Sequence, residues 1–394
     1  MYQKTLSPEQ LSAYEKLGIN PKNRIIVSLD GGGIRGILTL QMLKKIEEIA
    51  GLPLNKFCDL FAGTSTGGII AGLLASGYNA AQIEKLYIDF VSKVFLKREL
   101  LANRFLNPPA YDKKNYREVL NNVLGNNTLK DMCTKNNVDL FITAKDITDN
   151  EETYFTCFLN GKTIGTYQDA LLRTVLEATM SAPTYFSPLE RFIDGGTTTY
   201  NNPSLAAVLE AVQYDGKNKY QLPNITLFSF GTGKLVKSVQ PEQASNPSGI
   251  DTYFWLNYVM DESSQDASTM QTDLFRSQIL NLDYRRFQIS FDRDSIQKLP
   301  DKDISSLHFT NANWLRDLTD EDLQDVQMDD VGKFDLMKII GEAMTDYIMK
   351  NNQFKRDLND TPTKRDELVT VYENISRIKA MVTSEKWISQ QPSS

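Results

Sequence analysis

Residues 60–76 read LFAGTSTGGIIAGLLAS: an apolar run Leu60-Phe61-Ala62, then Gly63-Thr64-Ser65-Thr66-Gly67, then small and apolar residues from Gly68 to Ser76. That order predicts a strand, a tight turn and a helix. A serine at such a turn takes a strained backbone and projects its hydroxyl from the top of a sheet. Glycines on either side leave room for the turn and for an approaching substrate, where a Cβ would crowd both. G-x-S-x-G is short enough to arise by chance, so the strand before it and the helix after it carry the weight. Whether Ser65 is a nucleophile depends on what the rest of the chain supplies.

Upstream, Arg24 to Asp30 (RIIVSLD) predicts a buried strand. Asp30-Gly31-Gly32-Gly33-Ile34-Arg35-Gly36 follows, then a helix through Ile49, with Leu40, Leu43, Ile46 and Ile49 at helical spacing and Gly51 as its stop. A short amphipathic helix is expected over 7–17. Downstream, helices are expected over 79–96, 112–124 and 167–181, and strands over 138–147, 154–159, 191–193 and 225–230. Pro203 opens a further helix at a position where proline is favoured. Strands alternating with helices to about residue 235 imply an α/β fold with a mainly parallel sheet between helical layers. Beyond a loop at 240–250, helices dominate at 253–281, 331–350 and 363–385, interrupted by a strand at 285–291. The expected division is a lead-in helix over 1–23, a sheet core over 24–240, and a mainly helical region over 241–394 packed on it. Leu368, Tyr372, Ile375, Ile378 and Val382 share one face of the last helix, which is expected to dock on the sheet.

The chain of 394 residues is 41% hydrophobic and 24% charged, an ordinary globular composition. Its net charge of −7, without a dense Lys/Arg run, argues against a nucleic-acid partner. Met1 to Pro21 is polar, so no signal peptide is expected, and no apolar run approaches the ~20 residues of a membrane span. Cys58, Cys133 and Cys157 lack motif spacing and are expected as reduced, mostly buried thiols of a cytoplasmic protein. Asp292, Asp294, Asp301 and Asp303 lack the glycine and terminal glutamate of a calcium loop and read as a solvated acidic loop.

An ester-cleaving serine needs a base for its proton and donors for the oxyanion that forms. The glycines at 31–33 leave backbone N–H groups bare at a helix N-terminus, a place that favours negative charge; the bland reading is a tight turn alone. Gly31, Gly33 and Gly36 also match a dinucleotide fingerprint, but the second strand ends in Gly63-Thr64-Ser65 instead of the acidic residue that reading requires. For the base, two choices stay open. One is His308, the single histidine, in the order Ser65, Asp194, His308. Against it, only one strand precedes the Ser65 strand, and His308 lies in the weakly structured SSLHFTNANW. The other is Asp194 itself, at the end of a short apolar strand and uncovered by Gly195-Gly196. A carboxylate is a weak base for a hydroxyl, and burial that raises its pKa would help.

D-G-G-G-x-R-G at 30–36, G-T-S-T-G at 63–67 and D-G-G at 194–196, in that order, resemble the patatin-like phospholipases. Ser181-Ala182-Pro183-Thr184-Tyr185-Phe186, Ser229-Phe230-Gly231-Thr232-Gly233 and Met328-Asp329-Asp330 are similar to stretches of plant patatins, again in order. The resemblance implies a three-layer α/β/α fold and a lipid acyl hydrolase working by a serine–aspartate dyad. Ser65 is then the nucleophile, Asp194 the base, and the amides of Gly31, Gly32 and Gly33 the oxyanion hole. Arg35 stands where the family carries a basic residue; attracting a lipid phosphate and tying down the glycine loop are both open to it. The implied reaction splits fatty-acyl esters of glycerolipids through an acyl-serine and needs neither a metal nor a cofactor. Val94 to Pro109 mixes large apolar and basic residues and suits either peripheral contact with a membrane surface or ordinary helix packing. The rival readings are a soluble carboxylesterase on small esters and a lipid-binding protein whose activity is vestigial. Headgroup, acyl position, oligomeric state and any need for an activator are not legible in the residues. His308→Ala is expected to leave hydrolysis of a chromogenic acyl ester nearly intact while Ser65→Ala abolishes it; equal losses would put the histidine back in the site.

Overall fold

The computed structural model describes residues 4–95, 109–158, 167–214, 219–235, 252–277, 279–302, 314–324, 326, 328–351 and 370–371. His308 and most of the stretch 94–109 lie outside the described residues. Among the described residues, nine strands form one sheet. They are β1 (Arg24–Leu29), β2 (Leu60–Gly63), β3 (Asp139–Asp146), β4 (Glu151–Thr156), β5 (Phe192–Asp194), β6 (Ile225–Phe230), β7 (Lys234–Leu235), β8 (Asp283–Phe291) and β9 (Thr370–Val371). The order is β4-β3-β2-β1-β6-β8-β7, with β5 added to β3 and β9 to β8. Every pairing is parallel except those of β3 with β4 and β5.

The helices of the first part are α1 (Pro8–Lys16), α2 (Gly36–Ala50), α3 (Thr66–Ala75), α4 (Ala80–Val94), α5 (Lys113–Leu124), α6 (Leu129–Asn136), α7 (Leu172–Thr179) and α8 (Ser204–Tyr214). Two longer ones follow, Thr252–Arg276 and Phe334–Lys350. Side chains alternate across a strand, so the continuous apolar strands feed two cores. Ile25, Val27, Leu29, Phe61, Phe228 and Phe230 face a core shared with α2, α3, α4, α7 and the Phe334–Lys350 helix. Ile26, Leu60, Ala62, Ile225 and Leu227 face the other, closed by α8 and by Phe275 of the Thr252–Arg276 helix. The result is three layers with the sheet in the middle. α2 is buried around its first two turns because the Phe334–Lys350 helix lies across its outer side. A Cβ on Gly341 would stand 2.9 Å from the Leu38 Cα, so glycine permits that close crossing.

Several expected bounds shift. The helix expected over 167–181 begins only at Leu172, because Gln168 and Ala170 present their carbonyls to the N–H groups of Lys130 and Leu129 at the start of α6. α6 itself was not anticipated, although Thr128 and Asp131 form the reciprocal capping pair that announces such a helix. The helix expected from 331 starts at Phe334, after a turn that Asp330 caps. Of the segment expected as a helix over 363–385, Thr370–Val371 instead forms a two-residue strand parallel to β8; the remainder lies outside the described residues. Asp292 is no loop residue but the cap of a single helical turn, accepting from the Ser295 N–H at 2.9 Å.

The expectation of three reduced thiols is also corrected. Cys133 and Cys157 form a disulfide with Cα atoms 6.6 Å apart, joining α6 to the chain just past β4. Their 24-residue separation carries no motif, and only the packing of α6 beside β3 brings them together. Cytoplasmic disulfides are rare in mesophiles, so the compartment inferred from reduced thiols loses that support. Cys58 stays free and buried, and burial pushes its thiol pKa up. Thiol titration in denaturant without reductant should therefore find one reactive group per chain, and three after reduction; three at the outset would exclude the disulfide.

Candidate active site

β1, β2 and β6 lie side by side and parallel, so their carboxyl ends deliver three loops to one place: the glycine loop after Leu29, the serine turn after Gly63, and Gly231-Thr232-Gly233 after Phe230. β1 is also where the strand order reverses direction, the usual position of a site in such sheets.

Ser65 has φ 53° and ψ −124°, a conformation that a non-glycine residue holds only under constraint. Close packing supplies that constraint. A Cβ on Gly63 would lie 2.3 Å from the Gly67 carbonyl oxygen, and one on Gly67 would lie 2.2 Å from that of Leu29. Both glycines of G-x-S-x-G are thus required by backbone-to-backbone contact. The Ser65 N–H donates to Thr179 Oγ1 at 2.8 Å, and the Ile69 N–H bonds back to the Ser65 carbonyl.

The Ser65 hydroxyl donates to Asp194 Oδ2 at 2.6 Å. The other carboxylate oxygen accepts from the Gly196 N–H at 2.6 Å, and the Asp194 N–H is held by the Ser181 carbonyl. Asp194 is 4% exposed. Burial pushes its pKa up to about 7, against the opposing pull of the bonds from Ser65 and Gly196. Met180 Sδ lies 3.6 Å from Ser65 Oγ and closes that side.

The glycine loop adjoins the serine: a Cβ on Gly31 would stand 3.2 Å from that of Ser65. The structure narrows the expectation for its amides. The Gly31 N–H is taken by the Asn201 carbonyl at 3.2 Å, whereas those of Gly32 and Gly33 meet no acceptor among the described residues. Gly33 has φ +57°, which keeps the loop turning into α2. Arg35, 8% exposed, donates through Nε to the Gly32 carbonyl at 3.3 Å, which fits the tying role.

Below the loop, Asp30 forms a buried two-pronged pair with Arg286 of β8, Nη1 to Oδ1 at 2.9 Å, and the same nitrogen reaches Ser229 Oγ at 2.7 Å. Arg286 lines the site with nothing in its local sequence to mark it. Its partner is 256 residues away. A cavity of about 200 Å³ opens over Ser65. Phe95, Met180, Pro183, Tyr185, Phe186 and Leu235 give it an apolar wall, and Ser264, Gln265, Ser268, Thr272 and Gln288 a polar one. Among the described residues no cluster of three His, Cys, Asp or Glu side chains is placed to hold a metal.

A family model described as patatin-like phospholipase matches residues 27–208. A cGAMP-activated phospholipase of Escherichia coli (strain TW11681) is 29% identical over 253 residues, 60% of this chain and 68% of that protein. A cUMP-AMP-activated phospholipase of Escherichia coli is 42% identical over 99 residues, 24% of this chain and 31% of that one. The 85/88 kDa calcium-independent phospholipase A2 of Mus musculus is 29% identical over 247 residues, 56% of this chain and 29% of its own. The chain thus spans about two thirds of the first relative and under a third of the other two. Among solved structures, VipD from Legionella pneumophila overlays on 84% of this chain and 67% of its own, with a TM-score of 0.38 and 11% identity, too weak a likeness to carry weight. Residues 27–208 are thus a patatin-like phospholipase domain, a domain of acyl ester hydrolases.

Proposed function

We propose that the protein hydrolyses fatty-acyl esters of glycerolipids as a phospholipase A-type enzyme, with Ser65 as nucleophile and Asp194 as its base. The observation that carries this reading is the 2.6 Å hydrogen bond between them, made at a strained serine beside two amides that meet no acceptor among the described residues. In the first half-reaction Ser65 Oγ bonds to the ester carbonyl carbon while its proton passes to Asp194 Oδ2. The carbonyl oxygen becomes an oxyanion facing the Gly32 and Gly33 N–H groups. Collapse breaks the ester bond, and the leaving alkoxide takes the proton from Asp194. Water then repeats the sequence on the acyl-serine and frees the fatty acid.

Burial supports the carboxylate in this role, since a pKa near 7 brings it closer to the hydroxyl whose proton it takes. The apolar wall suits an acyl chain and the polar wall a glycerol headgroup. No helix among the described residues is long and apolar enough to cross a membrane, so substrate would be met by peripheral contact with a lipid surface. Rates on short-chain phospholipid below and above its micellar concentration separate this enzyme from a small-ester carboxylesterase, which gains nothing from aggregates. Because two relatives are named for activation by cyclic dinucleotides, each nucleotide belongs in the assay as well as its absence.

Ser65→Ala and Asp194→Asn should each lower turnover roughly 10³-fold or more, and Ser65→Ala should abolish covalent labelling by a fluorophosphonate. Labelling that persists without Ser65 would sink the assignment. With Asp194 required in its ionised form, kcat/KM should rise with pH along a limb centred near 7 and level above it. A limb near pH 4 would show that the carboxyl titrates as in water.

A further inference from the structure

We infer that Thr232 is a positioning residue for this reaction, its hydroxyl aiming the Gly32 amide at the oxyanion; the inference rests on the hydrolase reading above. In a trans peptide the C=O and N–H point in opposite directions, so an anchor on one directs the other. No cis peptide occurs among the described residues. Thr232 Oγ1 donates to the Gly31 carbonyl at 2.7 Å, and the N–H of that same peptide is Gly32's. The next peptide repeats the device: the Gly32 carbonyl accepts from the Arg35 N–H and Nε, and its N–H is Gly33's. Both amides that meet no acceptor among the described residues therefore belong to peptides whose carbonyls are held from behind.

Thr232 is well placed to act as a fixed anchor. It is 4% exposed, and a Cβ on Gly32 would lie 2.2 Å from its hydroxyl oxygen, so the two loops are in direct contact. Its own loop is tied at Gly231, whose N–H donates to the Phe287 carbonyl at 2.8 Å and whose carbonyl accepts from Thr39 Oγ1 at 3.1 Å. The anchor thus comes from the strand on the far side of β1 from the serine. Without the hydroxyl, the Gly31–Gly32 peptide is free to rotate, and the donor loses its aim before it loses its place.

Thr232→Val removes the hydroxyl and keeps the shape. Its kcat should fall roughly tenfold, less than the 10²–10³ lost when an oxyanion donor is deleted outright, with KM changed by less than about twofold, because the bond matters most when charge develops. Thr232→Ser restores the hydroxyl and should return kcat to near the wild-type value. Thr232→Ala, followed alongside with melting midpoints, gives the same reading if the valine variant does not fold. A folded Thr232→Val or Thr232→Ala with wild-type kcat overturns the proposal, as does a Thr232→Ser as slow as Thr232→Val. An effect confined to KM also overturns it. The wild-type chain assayed in parallel separates the two readings: an inactive wild type fails the hydrolase reading and this one together, whereas an active wild type with equally active variants fails this one alone.

Discussion

A single hydrogen bond between the Ser65 hydroxyl and the Asp194 carboxylate joins parts of the chain 129 residues apart, and the architecture around it serves to keep those oxygens 2.6 Å from each other. β3 is the common support. It pairs in parallel with β2, whose end carries the serine, and antiparallel with β5, whose end carries the aspartate. Thr143 of β3 bonds to Thr64 Oγ1 at 2.6 Å, and a Cβ on Gly195 would stand only 2.2 Å from its hydroxyl oxygen. One strand therefore sets the position of both partners.

Two unfavourable states are held in place by this frame. A non-glycine residue at positive φ costs on the order of 1–3 kcal/mol, and a carboxylate kept from water costs enough to move Asp194 to a pKa of about 7. The sign of the second term is definite. A folded-state pKa raised above the ordinary value of 3.8 means stability that is full below pH ~4 and falls as pH climbs through about 7. The site is thus least comfortable in the ionised state that the proposed reaction uses. What offsets this is packing elsewhere, in the two apolar cores on the two faces of the sheet; the buried Asp30–Arg286 pair ties the start of the glycine loop to β8 and fixes its position.

The glycine loop itself has almost no side chains with which to hold its shape, so its order is imposed from outside. Thr232 holds one peptide. Tyr87, on α4, donates to the Gly33 carbonyl and accepts from Thr66 Oγ1 at 2.7 Å, which links the loop to the residue following Ser65. The Ile34 N–H reaches the Met328 carbonyl at 2.9 Å, and Asp329 beside it accepts from Tyr111 at 2.6 Å. Three distant segments, each carrying a motif or an aromatic anchor, converge on a loop whose Gly32 and Gly33 amides meet no acceptor among the described residues.

Much of this was legible from residues alone. β1 and β6 run where their apolar stretches predict, α2 stops at the glycine in left-handed conformation, and the serine turn and Asp194 stand at strand ends as read. These features depend on neighbours within about four positions, where periodicity, capping and glycine content act directly. The Cys133–Cys157 bond, the Arg286 partner of Asp30, the anchoring hydroxyl of Thr232 and the diversion of the Gly31 amide to Asn201 were not legible. Each depends on which strands lie side by side and which loops then touch. Composition and spacing determined that the chain would build a mainly parallel sheet with a serine at a tight turn; only the tertiary packing decided which amides met an acceptor, because a backbone donor is free or engaged according to what the rest of the chain brings within 3 Å or so of it.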